Sequence, residues 1–325
     1  MHVSKICLGT ANFGTGYSSG FGDWGVVGEK EAHEIMDFAL EQGINFIDTA
    51  NVYGGKENRG LTETIIGNWF KKGGKRRERI VLATKVGRIF EKSILDGPNN
   101  IEGLSIYKIR RHVEASLKRL QTDHIELIQM HKYDPVTGWE EIWEAFEGLV
   151  KSGKTDYVGS SNHDAWQIMK AQEAARKRNF MGLISEQHLY TPLSRSAEQE
   201  LLPMARDQGI GITLYSPLFR GFFGIDAFDP YKREMTAECK KLFELYRKKA
   251  ESFSKLCREI GETQANVTLA WELNREEISS VIVAPTCIAD LKSLLRCVEV
   301  TLSNDVLGKI DEIFPPDSNV SPYFT

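Results

Sequence analysis

Six short apolar runs in this chain end in residues that can move protons or hold a polar ligand. Asp48 follows NFI, Lys85 follows VLAT, His131 follows ELIQM, Ser161 and Asn162 follow YVGS, Glu186 and Gln187 follow GLIS, and Tyr215 follows GITL. Singly, each has an ordinary explanation: a loop cap for Asp48, a solvated amine for Lys85, a structural histidine for His131. Brought to one place, a carboxylate, an ammonium and an imidazole shift one another's proton affinities, as groups in functional sites do. Tyr53, in DTANVYG, reaches the same place if the segment after Asp48 is a loop. A phenol titrates at about pH 10 and is a sluggish proton donor at neutral pH. A neighbouring ammonium favours the phenolate, and a buried ammonium in turn needs a carboxylate to stay charged. Asp48, Lys85 and Tyr53 can form that series, with His131 donating a hydrogen bond from the far side. Such a group is a general acid aimed at a carbonyl oxygen.

The elements that must position these residues follow from hydrophobic period. Strand-like runs fall at 5–8, 45–47, 80–83, 125–128, 156–159, 182–185, 211–214 and 280–283. Between them apolar residues recur at three- and four-residue steps, as in Ile106, Ile109, Val113, Leu117 and Leu120, or Ile142, Phe146 and Leu149, which is the mark of amphipathic helices. Glycines at Gly43, Gly153 and Gly209 stand where helices must stop before the next strand. Alternating strands and helices imply a parallel sheet, and eight units are the number that closes a (β/α)8 TIM barrel, an α/β fold with its active site where the strands end. The spacing widens after the seventh strand, so residues 218–249 are expected to form an extended loop with some helix. No Pro- or Ser-rich linker interrupts the chain, and residues 1–325 are expected to form a single domain. A doubly wound sheet is the rival, but Gly14, Gly16 and Gly20 miss the G-x-G-x-x-G spacing and no helix opens there.

Composition narrows the function. The 325 residues are 41% hydrophobic and 26% charged, and 41 Lys and Arg against 45 Asp and Glu give a net charge of −4. Neither a nucleic acid nor an anionic membrane is attracted to such a chain, so the expected partner is a small molecule. The five cysteines, Cys7, Cys239, Cys257, Cys287 and Cys297, are scattered, with no C-x-x-C pair, and read as free thiols rather than metal ligands. The first residues carry no secretory pattern, and the expected compartment is the cytoplasm. Oligomeric state is not readable from these features.

At DTANVYG, LATK, QMH, GSSN, SEQ and YSPLFRG the sequence resembles the aldo-keto reductases, and the resemblance covers nearly the whole chain. It implies a TIM barrel that binds a nicotinamide coenzyme, usually NADPH, without a Rossmann domain. The family's catalytic tetrad falls on Asp48, Tyr53, Lys85 and His131, with Tyr53 as proton donor to the substrate carbonyl. Its coenzyme contacts fall on Ser161, Asn162, Gln187 and Tyr215, with Asn162 and Gln187 on the nicotinamide carboxamide and Tyr215 stacked on the ring. Ser216, Pro217, Leu218, Arg220 and Gly221 match the loop around the pyrophosphate, and backbone groups near Gly9 and Thr10 complete the floor. Two departures stand out. The family's N-terminal hairpin is almost entirely missing before Val3. After the eighth strand, in VIVAPTCIADLKSLL, Thr286 stands where an arginine is common, Asp290 adds negative charge and Leu294 replaces an asparagine. A 2'-phosphate there lacks an arginine fork, with Lys292 a partial substitute, so NADH or dual use stands beside NADPH.

Within the family, DTANVYGG, RRERIVLATK, QTDHIELIQMH, WEEIWEAFEGLVKSGK and VGSSNHDAW look similar to the bacterial branch that includes deoxysugar-pathway reductases. That implies a keto or enone group of a nucleotide-linked hexose, or a broader range of carbonyls; Arg88, Lys132 and Arg220 are candidate cations for a nucleotide. Phe21, Trp24, Tyr133, Phe222 and Phe223 fall in mouth loops, and Trp24 and Phe222 are expected to wall the substrate site. Two other readings remain at this point. One is a nicotinamide-sensing subunit resembling potassium-channel β subunits. The other is a hydrolase using Asp48 and Glu186 as paired carboxylates.

Overall fold

The structure, a computed structural model, describes residues 1–14, 26–55, 58–88, 103–228 and 237–316. Eight strands, β1 (Ile6–Gly9), β2 (Phe46–Asp48), β3 (Val81–Val86), β4 (Ile125–Met130), β5 (Thr155–Ser161), β6 (Leu183–His188), β7 (Gly211–Leu214) and β8 (Ile278–Val283), each pair in parallel with the next, and β8 returns to β1. The sheet is a closed (β/α)8 barrel, and the doubly wound alternative falls because no strand is left as an edge. Every expected strand is present. β3, β4, β5 and β6 run past their expected ends, because parallel neighbours continue to offer hydrogen-bond partners: Lys85 pairs with Gln129, and Ser161 with Gln187. Lys85, Ser161 and Gln187 therefore sit on rigid strands rather than on loops.

Crossover helices clothe the barrel: α1 (Glu29–Glu41), α2 (Leu61–Lys71), α3 (Ile106–Leu120), α4 (Trp139–Lys151), α5 (Ala165–Lys177) and α6 (Leu201–Gln208). The steps seen in the sequence are the buried faces, with Ile109, Val113, Leu117 and Leu120 of α3 and Ile142, Phe146 and Leu149 of α4 in the core. α3 starts on Ser105, whose hydroxyl accepts from the Lys108 N–H at 3.4 Å, a cap that satisfies one of the first-turn donors. Between α2 and α3 the packing depends on Gly67: a Cβ there would lie 2.2 Å from the Arg119 carbonyl oxygen. Inside the barrel, Cys7, Phe46, Ala83, Leu127 and Ile282 form a separate apolar plug, and Val3 packs against it. The polar mouth stands on that dry floor.

The segment after β7 is more helical than expected. α7 (Ala237–Leu245) and α8 (Arg247–Ile260) follow a 3-10 turn at Phe222–Gly224, and α8 continues eleven residues past the expected insertion boundary. Phe243, Ala250, Phe253, Leu256 and Cys257 are buried at helical steps, and Phe253 packs edge-on against Phe223 and Phe314. Interleaved lysines and arginines on the outer face hid that period in the sequence. α9 (Gln264–Leu273), α10 (Ile288–Leu294) and α11 (Asn304–Ile313) complete the shell. Among the described residues, no helix is long and apolar enough to cross a membrane.

Candidate active site

Asp48 ends β2 and Lys85 lies on β3, and inside the barrel their side chains form a buried ion pair. The Lys85 side chain is 0% exposed as a residue, and its ammonium also donates to the Thr49 carbonyl at 3.0 Å and to the Tyr53 hydroxyl at 3.4 Å. Burial lowers its proton affinity, but the charge of Asp48, the neighbouring Tyr53 and the hydrogen bonds to both outweigh that and hold Lys85 above the ordinary lysine range. Tyr53 is carried there by a loop that extends the β3 ladder: the N–H groups of Thr49 and Asn51 donate to the carbonyls of Ala83 and Lys85 at 2.9 and 3.2 Å. On α3, His112 meets the Asn51 amide at 2.9 Å and ties the loop down from outside.

His131 stands across from Tyr53, ring centroids 6.0 Å apart and nearly perpendicular. Burial first, then the charges of Lys85 and Arg88, push its imidazole well below the ordinary histidine range. It is neutral at pH 7, and so can donate one N–H to an oxygen without carrying charge. The four residues thus present a phenol backed by an ammonium on one side and a neutral imidazole on the other.

Beside them, the end of β5 turns sharply at Asn162, whose φ is 58°. Both N–H bonds of its amide are committed, to the His131 carbonyl at 3.1 Å and the Ser161 hydroxyl at 3.0 Å, while its Oδ1 accepts from the Tyr215 hydroxyl at 2.9 Å. Gln187 is likewise committed as a donor, to Asp48 Oδ2 at 2.8 Å and to Gln129 Oε1 at 3.3 Å. What these two amides can offer a ligand is acceptor oxygen. That fits the NH2 of a nicotinamide carboxamide, so the residues present suit the coenzyme. Further round the mouth, Ser216, Phe219 and Arg220 all have positive φ, of 49°, 45° and 58°, within residues 216–221. Three non-glycine residues in the left-handed region cost about 1–3 kcal/mol each, and such strain collects at ligand clamps. Thr10 closes the floor, its N–H and hydroxyl both donating to the Asp48 carbonyl at 3.1 and 2.9 Å. Gly9 is adjacent to it and paired with Asp48 in the sheet.

The profile of the Aldo/keto reductase family matches residues 5–314. The chain belongs to that family. It is 50% identical to an uncharacterized oxidoreductase, YrpG, of Bacillus subtilis, over 99% of this chain and 95% of the relative. It is 30% identical to norsolorinic acid reductase B of Dothistroma septosporum, over 98% of this chain and 80% of the relative. A Schizosaccharomyces pombe protein provisionally named as an aryl-alcohol dehydrogenase is also 30% identical, over 97% of this chain and 93% of the relative. The chain is therefore an oxidoreductase by family.

One expectation needs correction for this aldo-keto reductase. Glu186 does not reach the mouth: it is 0% exposed and is held by the Ser160 hydroxyl, the His163 N–H at 3.0 Å and the His188 ring at 3.2 Å. Side chains alternate along a strand, so with Gln187 turned in to Asp48, Glu186 must turn outward. The paired-carboxylate hydrolase loses its second acid by that geometry. Phe222, expected to wall the substrate site, is 3% exposed and packs edge-on against Phe223 and Tyr246. Trp24 and Phe21 lie outside the described residues. Thr286 and Asp290 face each other: the Thr286 N–H and hydroxyl donate to the Asp290 carboxylate at 3.2 and 2.5 Å. Arg88 and Arg220 are close enough for their charges to act on Tyr215, whose hydroxyl burial holds above its ordinary range. Pro217 is buried, and Leu218 and Gly221 are half-buried and joined by a hydrogen bond of 3.0 Å from the Gly221 N–H to the Leu218 carbonyl. Among the described residues no cluster of His, Cys, Asp and Glu could hold a metal ion, and none of the five cysteines is in a disulfide. The residue missed from sequence is Gln129, two residues before His131, whose amide reaches Asp48 at 2.9 Å; two-residue alternation from His131 was the available signal.

Proposed function

We propose that this chain reduces an aldehyde or ketone, with Tyr53 protonating the carbonyl oxygen. The observation that carries the reading is the buried Lys85 ammonium, held between the Asp48 carboxylate and the Tyr53 hydroxyl. As the substrate oxygen gains charge, Tyr53 gives up its proton and the ammonium stabilises the phenolate left behind. Asp48 keeps the ammonium charged throughout. Neutral His131 orients the substrate oxygen by an N–H bond. A nicotinamide coenzyme, when bound, supplies the hydride. Asn162, Ser161, Gln187 and Tyr215 would hold its nicotinamide end, residues 216–221 with Gly9 and Thr10 its pyrophosphate, and Thr286 and Asp290 would meet its adenosine. NADPH is the coenzyme on family grounds. One observation favours NADH: the donors of Thr286 are already taken by the Asp290 carboxylate, which would repel a 2'-phosphate.

For substrate, the provisional aryl-alcohol name of one relative points to aromatic carbonyls. Tyr133 and Trp166 support that class, for they meet edge-on at 5.8 Å beside the ends of β4 and β5, with Trp166 55% exposed. The deoxysugar reading calls on Arg88, Lys132 and Arg220 instead. Loss of reduced-coenzyme absorbance with a panel of aromatic aldehydes and nucleotide-linked keto-sugars tests both. Turnover of the aromatic members alone supports the aromatic reading, and turnover of the sugars alone supports the other. Tight coenzyme binding with no turnover on either set would instead support the sensing role. We place the enzyme in the cytoplasm, where cysteines outside disulfides persist.

A further inference from the structure

The two oxygens of Asp48 do different work. Oδ1 meets Lys85, while Oδ2 accepts from Gln129 Nε2 at 2.9 Å and from Gln187 Nε2 at 2.8 Å. The second N–H of Gln187 goes to Gln129 Oε1 at 3.3 Å, which closes a ring of side chains from β2, β4 and β6. Only one orientation of the two amides satisfies it, because an ionised carboxylate can only accept. Gln129 is 1% exposed and sits beside Lys85 in the β3–β4 register and beside Gly159 in the β4–β5 register. Room for it comes from Gly159: a Cβ there would lie 3.3 Å from Gln129 Cγ and 2.5 Å from Ser185 Oγ. The neighbouring strand is cut back where the glutamine enters.

We propose that Gln129 is a positioning residue for the proton-transfer step, holding Asp48 by Oδ2 with Gln187 so that Oδ1 stays on Lys85 and Lys85 stays against Tyr53. It rests on the reading of Tyr53 as the proton donor. The positive ends of two N–H dipoles on Asp48 offset part of its negative field at the phenol. Other groups acting on the same cluster are Lys85 from β3, Cys7 from β1, His131 just after β4, Arg88 just after β3 and Tyr215 just after β7. None of these donates to Oδ2. Without Gln129 the field at Tyr53 becomes more negative, and its phenolate forms at higher pH.

The test uses Gln129→Met, which keeps the volume without the donor, and Gln129→Leu as a second variant, each in the full chain. Tyrosinate absorbance is titrated in each background with and without Tyr53→Phe, and the difference isolates Tyr53. The expected result is an upward move of that midpoint by about half a unit or more. Reduction should slow roughly tenfold at neutral pH, with the alkaline limb of its pH profile moving the same way and the coenzyme KM nearly unchanged. An unmoved or lowered midpoint in a cooperatively melting variant overturns the proposal. If the midpoint rises but the parent reduces no carbonyl, the positioning role stands and the reductase reading falls. If the parent reduces carbonyls but its midpoint ignores Gln129, the reductase reading stands and the positioning role falls.

Discussion

Among the described residues, Asp48 and Lys85 compensate each other's charge inside the barrel, so removing one strands the other. Asp48→Asn should cost about 3–5 kcal/mol, because an unpaired ammonium is left buried; thermal melting of both proteins measures it. Because the folded-state proton affinity of Lys85 is raised, the pair's contribution is complete below about pH 10.5 and fades as pH climbs through the folded value. His131 has the opposite sign. Its folded affinity is depressed, so the stability linked to its neutral form is present above about pH 6.5 and is lost as pH falls, by about 1.4 kcal/mol per unit. His131→Gln should flatten the acid side of the melting profile, and an acid slope as steep as the parent's would show that His131 is not held neutral. His163, also depressed by burial, keeps part of the slope. Asp48, Lys85 and His131 were legible because each follows an apolar run. Glu186 misled because its neighbour Gln187, one step along the strand, is the one that faces in. Gln129 was hidden inside a run that reads as plain core.

At the scale of elements, period and punctuation revealed most of the barrel. The glycines expected to end helices, Gly43, Gly153 and Gly209, have φ of 81°, 71° and 65°. What escaped was contact between elements distant in sequence. Gly67 is an unremarked residue in a helix until Arg119 is seen 2.2 Å from where its Cβ would be. Gly67→Ala should force α2 away from α3 and destabilise by about 1–3 kcal/mol despite alanine's better helix propensity. A rise in melting temperature would show that the two helices have slack. The run of α7 and α8 was obscured both by its interleaved lysines and arginines and because its apolar stripe gains meaning only against Phe223 and Phe314, which lie outside the run.

For the whole molecule, a closed sheet joins the site to every strand, and the coenzyme reading draws on β1, β5, β6, β7 and β8 together. At its far end, Asp290→Arg should release Thr286 and replace a repelling charge, moving the NADPH-to-NADH affinity ratio toward NADPH by about 1–3 kcal/mol. A fixed ratio would mean that the adenosine lies elsewhere. At its near end, Tyr53 acts only as the acid in the proposed reduction. Tyr53→Phe removes one hydroxyl and leaves Asn162, Gln187 and residues 216–221 untouched. Parallel measurement of carbonyl turnover and coenzyme affinity in that variant should give a fall of about 100- to 10,000-fold in the first and little change in the second. Retained turnover, or equal loss of both, would contradict the account.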